Sequence, residues 1–158
     1  HALPTALGRL RQDRSPAARA EASVTYNMIV EGVLAETGYR AYHQILTRHG
    51  IMPGMQQAVT LVKRDESRHL AYGVYLLSRL VHQHGTPVWD AIQSRMAILL
   101  EPALGVITEI VASYPVMSFG IEIGEFTDFA LSQCRARTQR IERARELGVT
   151  GWEDEDPG

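Results

Sequence analysis

The sequence predicts an all-α protein made of long antiparallel rods, and three observations carry that prediction. Apolar side chains recur at helical spacing, most clearly at Val59, Val62, Leu70, Gly73, Val74, Leu77 and Leu80. Punctuation is sparse: Ser15-Pro16, His49 to Gly54 and Gly85-Thr86-Pro87 are the main breaks before Tyr114-Pro115. No segment alternates polar and apolar residues as a half-buried strand would, and no repeat or linker divides the chain.

Residues His1 to Gln12 read as a short helix or lead-in, so 1–14 are set apart from the body at 15–147. Ser15 is placed to cap a helix whose first turn holds Pro16: the serine oxygen takes a free N–H, and proline has none to leave unsatisfied. From Ala17 to about Arg48 only Gly32 and Gly38 interrupt the pattern, which predicts a rod of roughly 30 residues, well beyond the usual helix. Its apolar stripe takes in Val24, Met28, Leu34, Ala35, Tyr42 and Ile45, with Glu31 in line. His49 to Gly54 forms a tight turn, and a second rod follows from about Met55 to His84. Thr86 caps a third, running to about Ser113, and a fourth spans about Glu122 to Leu147 and ends in charged, arginine-rich turns. Gly148 stops it, and 148–158 form an acidic tail.

At 158 residues the chain has one domain's length and can bury a sizeable core. With 45% hydrophobic and 22% charged residues and a net charge of −2, it gives no electrostatic case for nucleic acid or an anionic membrane surface. Cys134 is alone, which excludes an internal disulfide and a thiolate cluster for zinc. No apolar run reaches the length of about 18 residues that a membrane span needs, and no signal peptide is evident, so a cytoplasmic protein is expected. The start at His1 rather than a methionine reads as a segment of something longer.

Chemistry concentrates at Asp65-Glu66-Ser67-Arg68-His69. Glu66 and His69 are three apart and so share a helix face, and the stripe around them is apolar. A carboxylate and an imidazole in a bundle interior need compensation, and a metal ion is a strong one. An isolated Glu-x-x-His is more often a polar pair at a wet edge. Glu31 changes that balance. It lies roughly 18 residues below the hairpin turn and Glu66 roughly 14 below it, climbs of about 27 and 21 Å at about 1.5 Å per residue, with the turn adding height to the return leg. The three groups therefore converge on one level of two neighbouring rods, which is half of the ligand set by which helical bundles hold metal pairs. Carboxylate and imidazole donors suit iron and manganese.

The run Glu31-Gly32-Val33-Leu34-Ala35-Glu36-Thr37-Gly38-Tyr39, followed by Asp65-Glu66-Ser67-Arg68-His69, resembles the ribonucleotide reductase R2 superfamily. Within it, the chain resembles the R2-like ligand-binding oxidases over about residues 15–147. The resemblance implies a ferritin-like long-helix bundle, here a half-bundle carrying one half of a di-metal carboxylate site. It implies a mixed manganese–iron pair, or a di-iron pair as the alternative, with Glu31, Glu66 and His69 serving chiefly the iron position. Tyr26, five residues before Glu31, falls where the family has a tyrosine that becomes ether-linked to a valine on another helix, an oxidation driven by O2 activated at the metals. Tyr39 matches a second tyrosine near the site. Asp65 matches an aspartate that accepts a hydrogen bond from a metal-bound histidine of the other half.

The family also binds a long-chain fatty acid or similar lipid ligand beside the metals. Reductase subunits carry bulky aromatics in the turns after this glutamate, whereas Ala35 and Gly38 are small and would leave room. Ile107, Ile110, Val111, Met117 and Phe119 supply apolar lining. Read without the resemblance, Tyr26 and Tyr39 are plain core aromatics, Asp65 a surface charge beside Arg64 and Arg68, and the aliphatic residues ordinary core.

One departure stands out. The family site needs a further glutamate, a second Glu-x-x-His and the valine, and this chain has none of them. His82 and His84 fall at a helix end, and His43 has no glutamate three residues before it. The expected partner is the N-terminal half of the same protein, in preference to a symmetric pairing of two copies, and family analogy adds a homodimer. The expected function is a di-metal oxidase that activates O2. A radical-generating reductase subunit is the alternative, weakened by a tail, Glu153 to Gly158, without apolar anchors. A non-enzymatic helical interaction module is the third reading.

Overall fold

The computed structural model describes residues 1–112 and 123–147. The helices are α1 (Ala2–Arg9), α2 (Pro16–Ser23), α3 (Glu36–His49), α4 (Pro53–His84), α5 (Thr86–Ala112) and α6 (Ile123–Leu147). A π-helical stretch, Val24–Ala35, joins α2 to α3. No strand occurs among the described residues, and none of the described helices is long and apolar enough to cross a membrane. The expectations for Tyr114-Pro115, Met117, Phe119, Gly148 and the acidic tail, and for the Val111 side chain, lie outside the described residues.

The lead-in is a helix tied to the body. Arg9 bridges Asp13 at 2.8 Å and Glu21 at 2.6 Å, so α1 is fastened to α2 across the turn between them. Asp13 also accepts from the Ser15 backbone N–H at 2.9 Å, and the Ser15 hydroxyl oxygen accepts from the Ala18 N–H at 3.3 Å, the cap that the sequence predicts.

The first rod is continuous from Pro16 to His49, but it is not uniform. Across Val24–Ala35 the turns are wide, and the Glu36 N–H bonds the Glu31 carbonyl five residues back rather than four. Two guanidinium groups from neighbouring helices reach into this stretch. Arg95 of α5 donates to the Thr25 hydroxyl at 2.9 Å, and Arg137 of α6 donates to the Gly32 carbonyl at 2.9 Å. Gly32 is required for this arrangement, because a Cβ there would stand 2.8 Å from Arg137 Nη1 and 2.9 Å from the Asn27 carbonyl oxygen.

The wide turns correct the apolar stripe. Counted at 3.6 residues per turn, Val24 and Tyr42 share a face, yet Val24 is fully buried and Tyr42 is exposed. A π-helical stretch between them rotates everything that follows, which single-period counting cannot register.

Gly50, with φ of +62°, ends α3 in the left-handed conformation, and the Ile51 N–H returns to the Leu46 carbonyl. Gln56 donates to the Leu46 and Ile51 carbonyls at 3.1 and 2.9 Å, pinning the hairpin. Pro53 then opens α4, two residues earlier than the sequence predicts. α4 runs back along the first rod, touching α3, the π-helical stretch and α2, and also packs on α6, while α5 lies against α2 and the π-helical stretch. On α4, Val59, Leu70, Val74, Leu77 and Leu80 are buried as expected, whereas Val62 points outward. The interior that results joins Val24, Met28 and Val33 of the first rod to Leu77 and Val81 of α4, Ile92 of α5 and Ile141 of α6.

Candidate metal centre

The two rods bring Glu31, Glu66 and His69 together as the climb arithmetic predicts. Ligand atoms of the three lie within 4.8 Å of one another. His69 Nδ1 stands 3.4 Å from Glu31 Oε1 and 3.5 Å from Glu66 Oε2. These separations are too long for good hydrogen bonds. They suit groups arranged around a common centre, since donors about 2.1 Å from a divalent cation stand roughly 3 to 4 Å apart.

Burial differs among the three. Glu31 is 5% exposed, Glu66 is partly covered and the His69 side chain is 58% exposed. The site therefore lies at the edge of the interior, open on the side from which His69 enters. Glu66 Oε2 is itself buried and has no hydrogen-bond partner among the described residues. A buried carboxylate oxygen left unsatisfied is expensive, and two carboxylates facing one imidazole leave a net negative cavity. On these grounds the residues fit a divalent cation.

Glu31 reaches the centre from the π-helical stretch, held by its own rod. Asn27 Nδ2 donates to Glu31 Oε2 at 2.9 Å, and Ser23 Oγ donates to Asn27 Oδ1 at 2.9 Å. Glu31, as acceptor and as charge beside the Tyr26 hydroxyl, raises the phenol above its ordinary value, and burial and Glu66 push the same way. Tyr26 is 40% exposed and is thus no core aromatic; it stands at the open rim beside the acidic pair.

The remaining candidates are not among the three converging groups. Asp65 lies at the surface with its carboxylate 3.4 Å from Arg68, the bland placement that the sequence also allowed. Tyr39 and Ala35 are half-buried, and Gly38 is exposed with nothing within 4 Å of where a Cβ would be. Ile107 belongs to the packed interior and Ile110 is exposed. Counting apolar positions misses Ser23, Asn27 and Arg137. The available signal was Ser23, Asn27 and Glu31 recurring every four residues as polar members of an apolar stretch.

No family model matches the chain. Solved structures do. An R2-like ligand-binding oxidase from Sulfolobus acidocaldarius is 34% identical, with a TM-score of 0.79 over 92% of this chain and 47% of its own. The chain matches one half of an R2-like ligand-binding oxidase. A variant R2-like ligand-binding oxidase with an aerobically reconstituted Mn/Fe cofactor is 31% identical, with a TM-score of 0.81 over 90% of this chain and 53% of its own. Another with a non-activated Mn/Mn cofactor matches at the same identity and TM-score over 90% of this chain and 50% of its own. The chain thus spans about half the length of the oxidases it matches. Its helices are those of a ferritin-like half-bundle, and its Glu31, Glu66 and His69 form a group able to hold a metal ion.

Proposed function

We propose that this chain forms part of a di-metal oxidase that activates O2, and that Glu31, Glu66 and His69 hold one position of a manganese–iron pair. The observation that carries the reading is the convergence of those three groups around a buried Glu66 oxygen with no hydrogen-bond partner among the described residues, in a chain about a third identical to oxidases solved with Mn/Fe. Glu31 offers Oε1, Glu66 offers Oε2 and His69 offers Nδ1, the atoms that already face one another. When bound, such a pair supplies reducing electrons and Lewis acidity toward O2.

The other ligands come from an N-terminal segment of the same protein that covers the open side. That side carries Tyr26, and Val62, His69 and Tyr72 line one exposed stripe of α4 leading from it. An exposed stripe of this kind is what an absent bundle partner leaves behind. Tyr26 is the side chain that becomes ether-linked: its O–H bond and a C–H bond of the partner segment are lost, and one C–O bond forms. Tyr39 stands near the same site, and Asp65 accepts a hydrogen bond from a histidine of that segment once it docks. Ala35 and Gly38, being small, leave space for a long-chain fatty acid or similar lipid. The assembled enzyme is a homodimer in the cytoplasm.

Metal analysis of the full-length protein tests the reading. Glu66→Ala is expected to lower manganese and iron occupancy severely, and unchanged occupancy would end the ligand assignment. Mass spectrometry after aerobic loading reads the second part: the Tyr26 peptide joined to another with the loss of two hydrogens. A metal-loaded protein lacking that species would favour a radical-generating subunit instead.

A further inference from the structure

We propose that Asn27 is a positioning residue for Glu31, fixing that ligand so that only Oε1 is offered to a bound metal; the proposal rests on the metal-binding reading above. Ser23, Asn27 and Glu31 are all buried, one turn apart on the same rod, and the two hydrogen bonds among them run in one direction. A carboxylate can only accept, so the amide must turn Nδ2 toward Glu31. Its oxygen then faces Ser23, whose hydroxyl must donate. The chemistry at one end of the relay thus sets the orientation of every member.

Sterics lock the same pose. Asn27 rests on Gly73 of α4, where a Cβ would come 2.3 Å from Asn27 Cβ, 2.7 Å from Cγ and 3.0 Å from Oδ1. The helices approach closely enough at this point that the amide has no second place to go. Asn27 holds Oε2, and it is Oε1 that turns to the centre, 3.4 Å from His69 Nδ1. Glu66 differs: among the described residues no hydrogen bond holds its buried Oε2. The two carboxylates are therefore unequal before any metal arrives, one held by an amide through Oε2 and the other without such a bond among the described residues.

A purely structural Asn27 makes a different prediction from a positioning one. If the amide only satisfies a buried carboxylate, its loss lowers the stability of metal-free and metal-bound protein alike and leaves metal affinity unchanged. If it aims Glu31, its loss weakens binding at that position by about 10- to 100-fold, the usual effect of removing a partner that orients a ligand. The experiment is anaerobic titration of the full-length protein with Fe(II) alone, comparing wild type, Asn27→Leu and Ser23→Ala. The expected result is a loss in that range for Asn27→Leu and a smaller loss in the same direction for Ser23→Ala, which removes only the bond that orients the amide. Affinity within twofold of wild type in folded Asn27→Leu overturns the proposal. Should that variant fail to fold, Ser23→Ala decides by the same criterion. Wild-type protein that does not bind Fe(II), or Glu66→Ala protein that binds it as well as wild type, overturns the metal reading and this one together.

Discussion

Gly73→Ala is the sharpest test of how the two rods meet. The added Cβ would stand 2.3 and 2.7 Å from two carbon atoms of Asn27, separations that no packed carbons tolerate. Neither side can give way easily, since Asn27 is bonded to both Ser23 and Glu31 and Gly73 lies in mid-helix between Leu70 and Val74, both buried. Overpacking of this sort destabilises by about 1–3 kcal/mol. Displacing the amide also breaks its bond to the Glu31 carboxylate, a contact to a charged group worth about 1.5–3 kcal/mol. The greater helix propensity of alanine returns about 1 kcal/mol. The expected net loss is about 2–4 kcal/mol, read as a lower urea midpoint in equilibrium denaturation of the full-length protein. Gly105→Ala is the control, because nothing lies within 4 Å of its Cβ position and only the propensity gain remains. A Gly73→Ala protein as stable as wild type or more so, with Gly105→Ala showing its propensity gain, would refute the close approach of Asn27 to α4.

Two further outcomes are expected. Arg137 donates to the Gly32 carbonyl and to the Glu36 carboxylate from a side chain 13% exposed, so Arg137→Met should lose about 1–3 kcal/mol by leaving Glu36 unpaired. Arg137→Met combined with Glu36→Leu should recover part of that loss, and a coupling energy near zero in the double-mutant cycle would show that the pair contributes nothing. Hydrogen bonds from Ser15, and then Arg9, hold the Asp13 carboxyl at about 2, below its ordinary 3.8. A depressed carboxyl stabilises the fold above its unfolded pKa. The fastening of α1 to α2 should therefore be complete above about pH 4 and fade as pH falls through about 2. An NMR titration of Asp13 reads this directly, and a midpoint near 3.8 would contradict the bond pattern.

Much of this architecture was legible in the residues. Ser15-Pro16, Gly50 and Gly85-Thr86-Pro87 mark real helix boundaries, because caps and breakers act locally and need no tertiary context. The convergence of Glu31 with Glu66 and His69 was legible because rise per residue is nearly constant, so the heights of two antiparallel rods can be compared by counting. The facing of side chains was less so. Angular position depends on the local turn, and little at Val24 to Ala35 announces a change of pitch: apart from Asn27 and Gly32 the residues there are common in ordinary helices. Tyr42 was misplaced for that reason. Asn27 escaped notice for another, since an asparagine in an apolar run carries meaning only once its two partners are known.

The wide turns also decide which neighbours the first rod can serve. An unbroken α-helix keeps nearly the same side toward one companion along its length. Here the segment before the π-helical stretch lies against α5 and α4, and the segment after it against α4 and α6. The rod works as a swivel, handing contact from one companion to another part-way along. Glu31 stands inside the swivel, so any change that straightened those turns into a regular helix would shift the carboxylate and the packing of both arms at once.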